Sequence, residues 1–284
     1  MPSLERHRSG DVTLLCDPSV PGRVTFAFTE RAGGVSRPPY ASLNLGDRCG
    51  DDPASVAENR RRALAALGAQ DLLDRLVCPR QVHGDRVVAV RSAEPAALKA
   101  ARAEALAGAD AVVCVADEVP VLMCFADCVP VVLVAPGGFA VVHSGWRGTL
   151  ARICAKAARA LAREAGCGTG DLLAYVGPHI GAADYEVSEE LLRTFVGEFG
   201  EGVARAPRNL DLAFAVTSAL ADAGVAADRV AACDVSTARA TDRFFSYRAE
   251  GGTCGRHAAV ALMGRRPAGW PAAGAPDPEE GWYR

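Results

Sequence analysis

The sequence predicts an α+β fold of stacked layers, and three observations carry that prediction. Strand-like and helix-like segments alternate irregularly, with long strand-rich stretches instead of a regular strand–helix–strand repeat. The chain contains no internal repeat. Half of its 284 residues are apolar, enough to bury a substantial core.

Taken in order, the first strand is predicted over 24–28. A helix starts at Asp52-Pro53: Asp52 caps, Pro53 fits the first helical position, and Val56, Arg60, Ala63, Leu64 and Leu67 follow at helical spacing up to Gly68. Strands follow over 87–90, 111–115, 121–125, 131–134 and 139–143. Pro136-Gly137-Gly138 is the hairpin turn between the last two. Counting back from that turn sets His143 opposite Pro130 or Val131. Pro130 cannot donate to a ladder, so the chain there is at an edge, bent or entering the strand. Cys128 then lies at the same end of the hairpin as His143.

A second helix is predicted over 149–165, ending in Gly166-Cys167-Gly168-Thr169-Gly170. Those glycines resemble a phosphate loop, but they follow a helix instead of a strand, which makes them a C-cap and loop. Strands over 173–176 and 230–233 and helices over 188–199 and 210–223 complete the pattern. The residues after Arg266 are rich in Pro, Ala and Gly, and nothing of that kind interrupts the middle. The organisation is therefore one domain over 1–266 and a loosely ordered tail over 267–284.

Charge and composition exclude several classes. A net charge of −3 gives no global field for nucleic acid or an anionic membrane, and Arg60-Arg61-Arg62 reads as a solvated helix face. The N-terminus lacks the basic-then-apolar pattern of a secretory signal, and no apolar stretch approaches the length needed to span a bilayer. Ten cysteines scattered through core-like segments read mostly as small buried hydrophobes in a reducing compartment. The expectation is a cytoplasmic protein without nucleic-acid or membrane partners.

The chemistry gathers at Val141-Val142-His143-Ser144-Gly145-Trp146-Arg147-Gly148, where an apolar strand stops at an imidazole and a glycine-bracketed turn opens a helix. With Cys128 in Ala126-Asp127-Cys128-Val129-Pro130 and His83 in Gln81-Val82-His83-Gly84, His143 forms a three-ligand set that can hold zinc and leave a fourth position open. Taken singly, His83, His7, His179 and His257 read as surface or hydrogen-bonded histidines, with His179 on a possible site loop. Cys124 is the rival thiol. In an extended chain it sits roughly 13 Å from Cys128, at about 3.3 Å per residue, so both cannot hold one ion unless the strand breaks.

Ser144-Gly145 beside a histidine is not a nucleophile elbow, because Val142 stands where that motif needs glycine. A Cys128–His143 nucleophilic pair is physically sound. Arg147 and the helix N-terminus after Gly145 suit an anion; equally, Arg147 can cap local carbonyls or pair with Asp127.

At these residues the chain resembles the YfiH family, also called the laccase-domain, polyphenol-oxidase or peptidoglycan-editing-factor family. The matching pieces run in order: Ser42-Leu43-Asn44-Leu45-Gly46, Glu58-Asn59-Arg60, Gln81-Val82-His83-Gly84, Gly108-Ala109-Asp110-Ala111 and Ala126-Asp127-Cys128-Val129-Pro130-Val131. They continue through His143-Ser144-Gly145-Trp146-Arg147-Gly148, Gly177-Pro178-His179-Ile180-Gly181, Tyr185-Glu186-Val187, Asp211-Leu212, Ser246-Tyr247-Arg248 and Gly255-Arg256. Ser144 departs from the alanine usual in that run, and valines follow Asp110-Ala111 where the family often shows a threonine nearby.

The resemblance implies an α-β-β-α layered fold and a zinc ion held by His83, Cys128 and His143. It also implies purine nucleoside chemistry: phosphorolysis of adenosine, inosine and methylthioadenosine, and deamination of adenosine. Copper can enter the same two-histidine, one-cysteine site, but five scattered histidines cannot build a multicopper centre. On this reading the substrates are purine nucleosides and phosphate. Arg147 is the candidate for the anion, Asp127 a candidate acid/base or supporting partner, and Asn44, Arg60 and Gln81 candidate substrate or supporting contacts. The rival is a cysteine hydrolase acting on peptidoglycan precursors, with Cys128 attacking and His143 as base. A third reading is a binding module with a closed structural zinc site, which needs a fourth ligand such as His179 or Cys124.

Overall fold

Thirteen strands and six α-helices make up the described part of the chain. The structure, a computed structural model, describes residues 1–205 and 207–267; beyond Pro267, the tail expected over 267–284 lies outside the described residues. In chain order the strands are β1 (Glu5–Ser9), β2 (Val12–Cys16), β3 (Val24–Thr29), β4 (Val87–Val90), β5 (Ala111–Cys114), β6 (Val121–Phe125), β7 (Val129–Ala135), β8 (Gly138–Ser144), β9 (Leu173–Val176), β10 (Ala204–Arg205), β11 (Asn209–Leu210), β12 (Val230–Ala232) and β13 (His257–Met263). The helices are α1 (Pro53–Ala66), α2 (Pro95–Leu106), α3 (Trp146–Leu150), α4 (Ile153–Ala165), α5 (Glu189–Phe199) and α6 (Leu212–Asp222).

Two sheets stack face to face. One is five-stranded and antiparallel, in the order β1-β2-β3-β13-β6; the other is six-stranded, in the order β12-β9-β7-β8-β5-β4, with parallel pairs at its two ends. Side chains alternate along each strand, so one sequence lines two cores. Val132 and Val134 of β7 face Phe26, Phe28 and Met123 across the gap between the sheets. Val131 and Leu133 face the other way, onto Ala157 and Leu161 of α4 and Val216 of α6. On the far side of the five-stranded sheet, Leu122, Val260 and Leu262 pack against Ala63 and Leu64 of α1. The result is the α-β-β-α layering expected above, each fully buried Leu or Val contributing about 1.5–3 kcal/mol of burial free energy.

Local chemistry explains the element ends. Asp52 caps α1 by accepting from the Ala54 and Ser55 amides, with Pro53 next, and Gly166 closes α4 in the left-handed conformation, the role read for it in place of a phosphate loop. The hairpin register puts Pro130 opposite His143 and Val129 opposite Ser144. Pro130 is the second residue of β7, so of the three options the chain is entering the strand there. The helix predicted over 149–165 is instead two, α3 and α4, broken where Arg152 takes a left-handed φ of 57° and its guanidinium binds Glu198 and Asp222. No helix among the described residues is long and apolar enough to cross a membrane.

One buried amide ties α1 to the loops beside the sheets. Asn59 is fully buried; its Nδ2 donates to Ser36 Oγ and to the carbonyls of Ser42 and Asn44, and its Oδ1 accepts from the Val35 amide. Replacing Asn59 by Ala strands those groups without water. We expect Asn59→Ala to cost about 3 kcal/mol, read as a lowered urea midpoint with unchanged slope.

Candidate metal centre

Four chain segments end together at one edge of the six-stranded sheet. Cys128 immediately precedes β7, His143 is near the end of β8, Asp110 immediately precedes β5, and His83 lies in the loop before β4. The antiparallel pairing of β5 with β8 sets Asp110 beside His143, whose amide donates to the Asp110 carbonyl at 2.7 Å. The donor atoms of His83, Cys128 and His143 all lie within 4.8 Å of one another.

Asp110 orders this centre. It is fully buried, and its Oδ1 lies 2.8 Å from His143 Nδ1. The same carboxylate accepts from the amides of Val82 (3.1 Å), His83 (3.0 Å) and Gly84 (2.8 Å). Burial raises its pKa, but the imidazole and the converging amides outweigh that and hold the carboxyl below its usual range. An ionised carboxylate only accepts, so His143 Nδ1 carries the proton and Nε2 is left for a ligand. The converging amides also hold His83 at φ 58°, a conformation that side chains rarely adopt.

The electrostatics bind the donors as a set. Burial pushes the Cys128 thiol up, but His143, with His83 adding, brings it down to about 6. Burial lowers His143, and the Cys128 sulfur and Asp110 raise it to about 9. Two imidazoles and a thiolate are the donor chemistry of zinc, and copper accepts the same set. Gly145 shows the fit to an ion most directly. A Cβ there would stand 2.7 Å from His83 Nδ1 and 3.0 Å from Cys128 Sγ, in the space between donors. Neither candidate fourth ligand joins the set: His179 Nδ1 is bonded to the Gly177 carbonyl, and Cys124 lies outside the converging donors, packed with Cys78 against the cluster under α1.

The donors open onto a cavity of about 670 Å³, whose wall includes Trp146, Tyr185, Tyr247, Arg48, Arg248 and Arg256. Gln81 lines it too, but its amide is committed to the backbone of Cys124, donating to the carbonyl at 2.7 Å and accepting from the amide at 2.8 Å. Asn44 and Arg60 stand behind the wall. Asn44 bonds Gly46, Asp51 and the Arg256 amide; Arg60 donates to the Leu45 carbonyl and pairs with Asp47. Asp127, at φ 89°, accepts from Thr237 and Ser246 hydroxyls and the Arg248 amide, each at 2.7 Å.

Arg147 is placed differently from the expectation. It is exposed, does not line the cavity, pairs with no carboxylate among the described residues, and lies 4.5 Å over the Trp146 ring. The helix it sits in is only five residues long. Ser144, the departure from the family run, spends its hydroxyl on Thr149 Oγ1 at 2.8 Å. Sequence reasoning passed over Asp110 as a supporting group, and Tyr185, Tyr247, Arg248 and Arg256 as wall residues. The signal was present: all five fall in the ordered motif pieces, the wall residues outside any predicted strand or helix.

Fold and site define a class: a four-layered α/β protein with one open three-donor centre on a cavity. The chain belongs to the YfiH-type laccase-like family; the family's sequence model, described as multi-copper polyphenol oxidoreductase laccase, matches residues 25–264. It is 39% identical over 249 residues to the purine nucleoside phosphorylase of Deinococcus radiodurans, covering 86% of this chain and 90% of that protein. It is 34% identical over 233 residues to the purine nucleoside phosphorylase YfiH of Escherichia coli, covering 80% and 89%. The crystal structure of YlmD from Geobacillus stearothermophilus aligns with TM-score 0.78 at 28% identity, over 94% of this chain and all of that one. That of the hypothetical protein YfiH from Bacillus licheniformis aligns with TM-score 0.78 at 27% identity, over 88% and 96%. These names support an enzyme. The multi-copper wording does not match the donors: the described residues gather one three-donor group, and His179 and His257 are buried apart from it.

Two outcomes follow from the geometry. Asp110→Asn should weaken zinc binding about 10–100-fold, measured by chelator competition, while the fold persists. Gly145→Ala should abolish stoichiometric metal binding with the circular dichroism spectrum unchanged.

Proposed function

We propose that the chain is a zinc-dependent purine nucleoside enzyme, splitting adenosine, inosine and methylthioadenosine with phosphate and deaminating adenosine. The observation that carries this reading is the open three-donor centre on a cavity walled by aromatic rings and guanidiniums, set beside relatives named purine nucleoside phosphorylase. A purine needs flat apolar faces, and a phosphate needs fixed bidentate donors. Held by His83, Cys128 and His143, zinc supplies Lewis acidity toward a substrate oxygen or water.

The chain's own residues position the rest. Arg248 and Arg256 take the anion-binding role in place of Arg147. Each is fixed through its backbone amide, Arg248 to Asp127 and Arg256 to Asn44, and its guanidinium stands over a wall aromatic, Tyr185 at 5.3 Å and Tyr247 at 5.7 Å. Asp127, already accepting three hydrogen bonds, serves as a positioning residue instead of a proton carrier. Gln81 holds the strand end at Cys124, and Arg60 holds the loop that carries Asp47 and Arg48. Copper fits the same donors as a substitute.

A second reading, a cysteine hydrolase acting on peptidoglycan precursors, has one observation in its favour: Asp110, His143 and Cys128 stand in the order carboxylate, imidazole, thiol. His83 weighs against it. A nucleophile needs one base, and the second imidazole on the sulfur has a use only in a ligand set.

Product analysis separates the readings. The zinc-loaded protein given adenosine should yield adenine and ribose 1-phosphate only with phosphate present, and inosine in either buffer. Cys128→Ala should lose both activities together with bound zinc. Full activity in a zinc-free Cys128→Ala protein would overturn the proposal, and no turnover in either buffer at one zinc per chain would shift the reading to the hydrolase.

A further inference from the structure

Outside the metal centre, the same cavity wall holds a pair of sulfurs. Cys78 and Cys124 both line the cavity, and all ten cysteines of the chain are free thiols. The backbone brings this pair together. Residue 77 runs parallel to β6, with the Val77 amide donating to the Pro120 carbonyl at 2.8 Å and the Leu122 amide to the Val77 carbonyl at 3.0 Å. Four residues on, Gln81 clamps the Cys124 backbone through two further bonds. Between these ties the two side chains share one face, both packed against the cluster under α1 and both on the cavity wall, each thiol shifting the other's acidity.

The pair is not symmetric. The Cys124 thiol lowers the Cys78 pKa against the effect of burial, with Arg60 adding; Cys124 is raised by Cys78 and by burial, against the effect of Arg60. The Arg60 side chain is 15% exposed, and its Nη2 is buried without a hydrogen bond, 3.2 Å from Asp47 Oδ2. A buried guanidinium near two neighbouring thiols, on a wall that a small solute can reach, is the environment of a reactive cysteine with a resolving partner.

We propose that Cys78 and Cys124 form a reversible thiol–disulfide couple in the cavity wall, oxidised by hydroperoxides, with Cys78 attacking and Cys124 resolving. The Cys78 sulfur attacks one peroxide oxygen, the O–O bond breaks, and the departing oxygen leaves as water with the Cys78 thiol proton. That step leaves a sulfenic acid on Cys78. The Cys124 sulfur then attacks the Cys78 sulfur, the S–O bond breaks, and a second water leaves with the Cys124 proton. Two thiols and one hydrogen peroxide give one disulfide and two waters; the sulfurs are oxidised and the peroxide reduced. The cross-link would join the segment leading to His83 with the strand leading to Cys128, so oxidation at this wall is felt by two metal donors. A dithiol reductant reverses it by exchange.

The test is independent of any nucleoside activity. The reduced, full-length protein is treated with hydrogen peroxide at one equivalent, blocked with an alkylating agent and mapped by mass spectrometry. The expected result is a peptide pair joined through Cys78 and Cys124, with two hydrogens lost from the intact mass and both changes reversed by dithiothreitol. Cys78→Ser and Cys124→Ser should each abolish the cross-link, and Cys124→Ser should trap the sulfenic acid on Cys78. Arg60→Lys should retain the rate of cross-linking and Arg60→Gln slow it several-fold. The proposal is overturned if Cys78 and Cys124 both stay alkylatable while other thiols oxidise, or if the disulfide found joins either of them to Cys49 or Cys128 instead.

Discussion

The carboxylate of Asp110 is the group on which the site depends. Burying an ion without partners is prohibitive, and this one is fully buried. Three backbone amides and an imidazole converge on its two oxygens, so the cost of desolvation is met by the same contacts that build the centre. Those contacts fix two of the three donors at once: the ring of His143 and the backbone of His83. A non-glycine residue in the left-handed region costs roughly 1–2 kcal/mol, and the convergence of amides on Asp110 offsets that cost at residue 83. Sheet pairing supplies the rest, because β5 and β8 are neighbours and their ends deliver Asp110 beside His143.

The same device recurs around the cavity. Much of its wall is loop, and loop backbone inside a protein lacks ladder partners. Side-chain amides and carboxylates stand in for them. Asn59 serves four groups of the 35–44 segment, Asn44 serves the turn to Asp51 and the Arg256 amide, Gln81 mimics a strand partner for Cys124, and Asp127 gathers Thr237, Ser246 and Arg248. The polar residues that look like substrate contacts in the sequence are therefore largely the scaffold that aims the arginines.

This explains what was legible beforehand. The hairpin argument located His143 opposite Pro130 because a turn signal and period-two alternation fix register locally. The caps at Asp52 and Gly166 were legible for the same reason. The strand β13, His-Ala-Ala-Val-Ala-Leu-Met, was not: alanine-rich sequence carries no strand propensity, and it is a strand because it lies between β3 and β6 with both faces covered. The helix α2, opened by Pro95, and the N-terminal hairpin of β1 and β2 were also passed over. Asp110, Arg248 and Arg256 fall in the ordered motif pieces, yet escaped as site residues because sequence neighbours do not tell a buried acceptor or a wall cation from a surface charge. Their roles arise from contacts across as many as 212 residues of sequence, as between Arg256 and Asn44.

The two imidazoles of the centre are held unequally, and that inequality bears on what the centre is for. His143 is 4% exposed and restrained through its ring by Asp110, while His83 is exposed, with its backbone held by Asp110 and its ring edge-on to that of His143. A structural metal site gains its stability from four donors in a closed shell, with each ring held in place. Here the third donor stands at the cavity mouth, the fourth protein donor is absent among the described residues, and Gly145 keeps a side chain out of the space between His83 and Cys128. The exposed third donor and the missing fourth weaken a metal's grip relative to a closed shell, while Gly145 leaves the ion its space, and together they give a solute access to it. On the proposed reading, their coincidence at one cavity is accounted for by exchange at an open position, not by scaffolding.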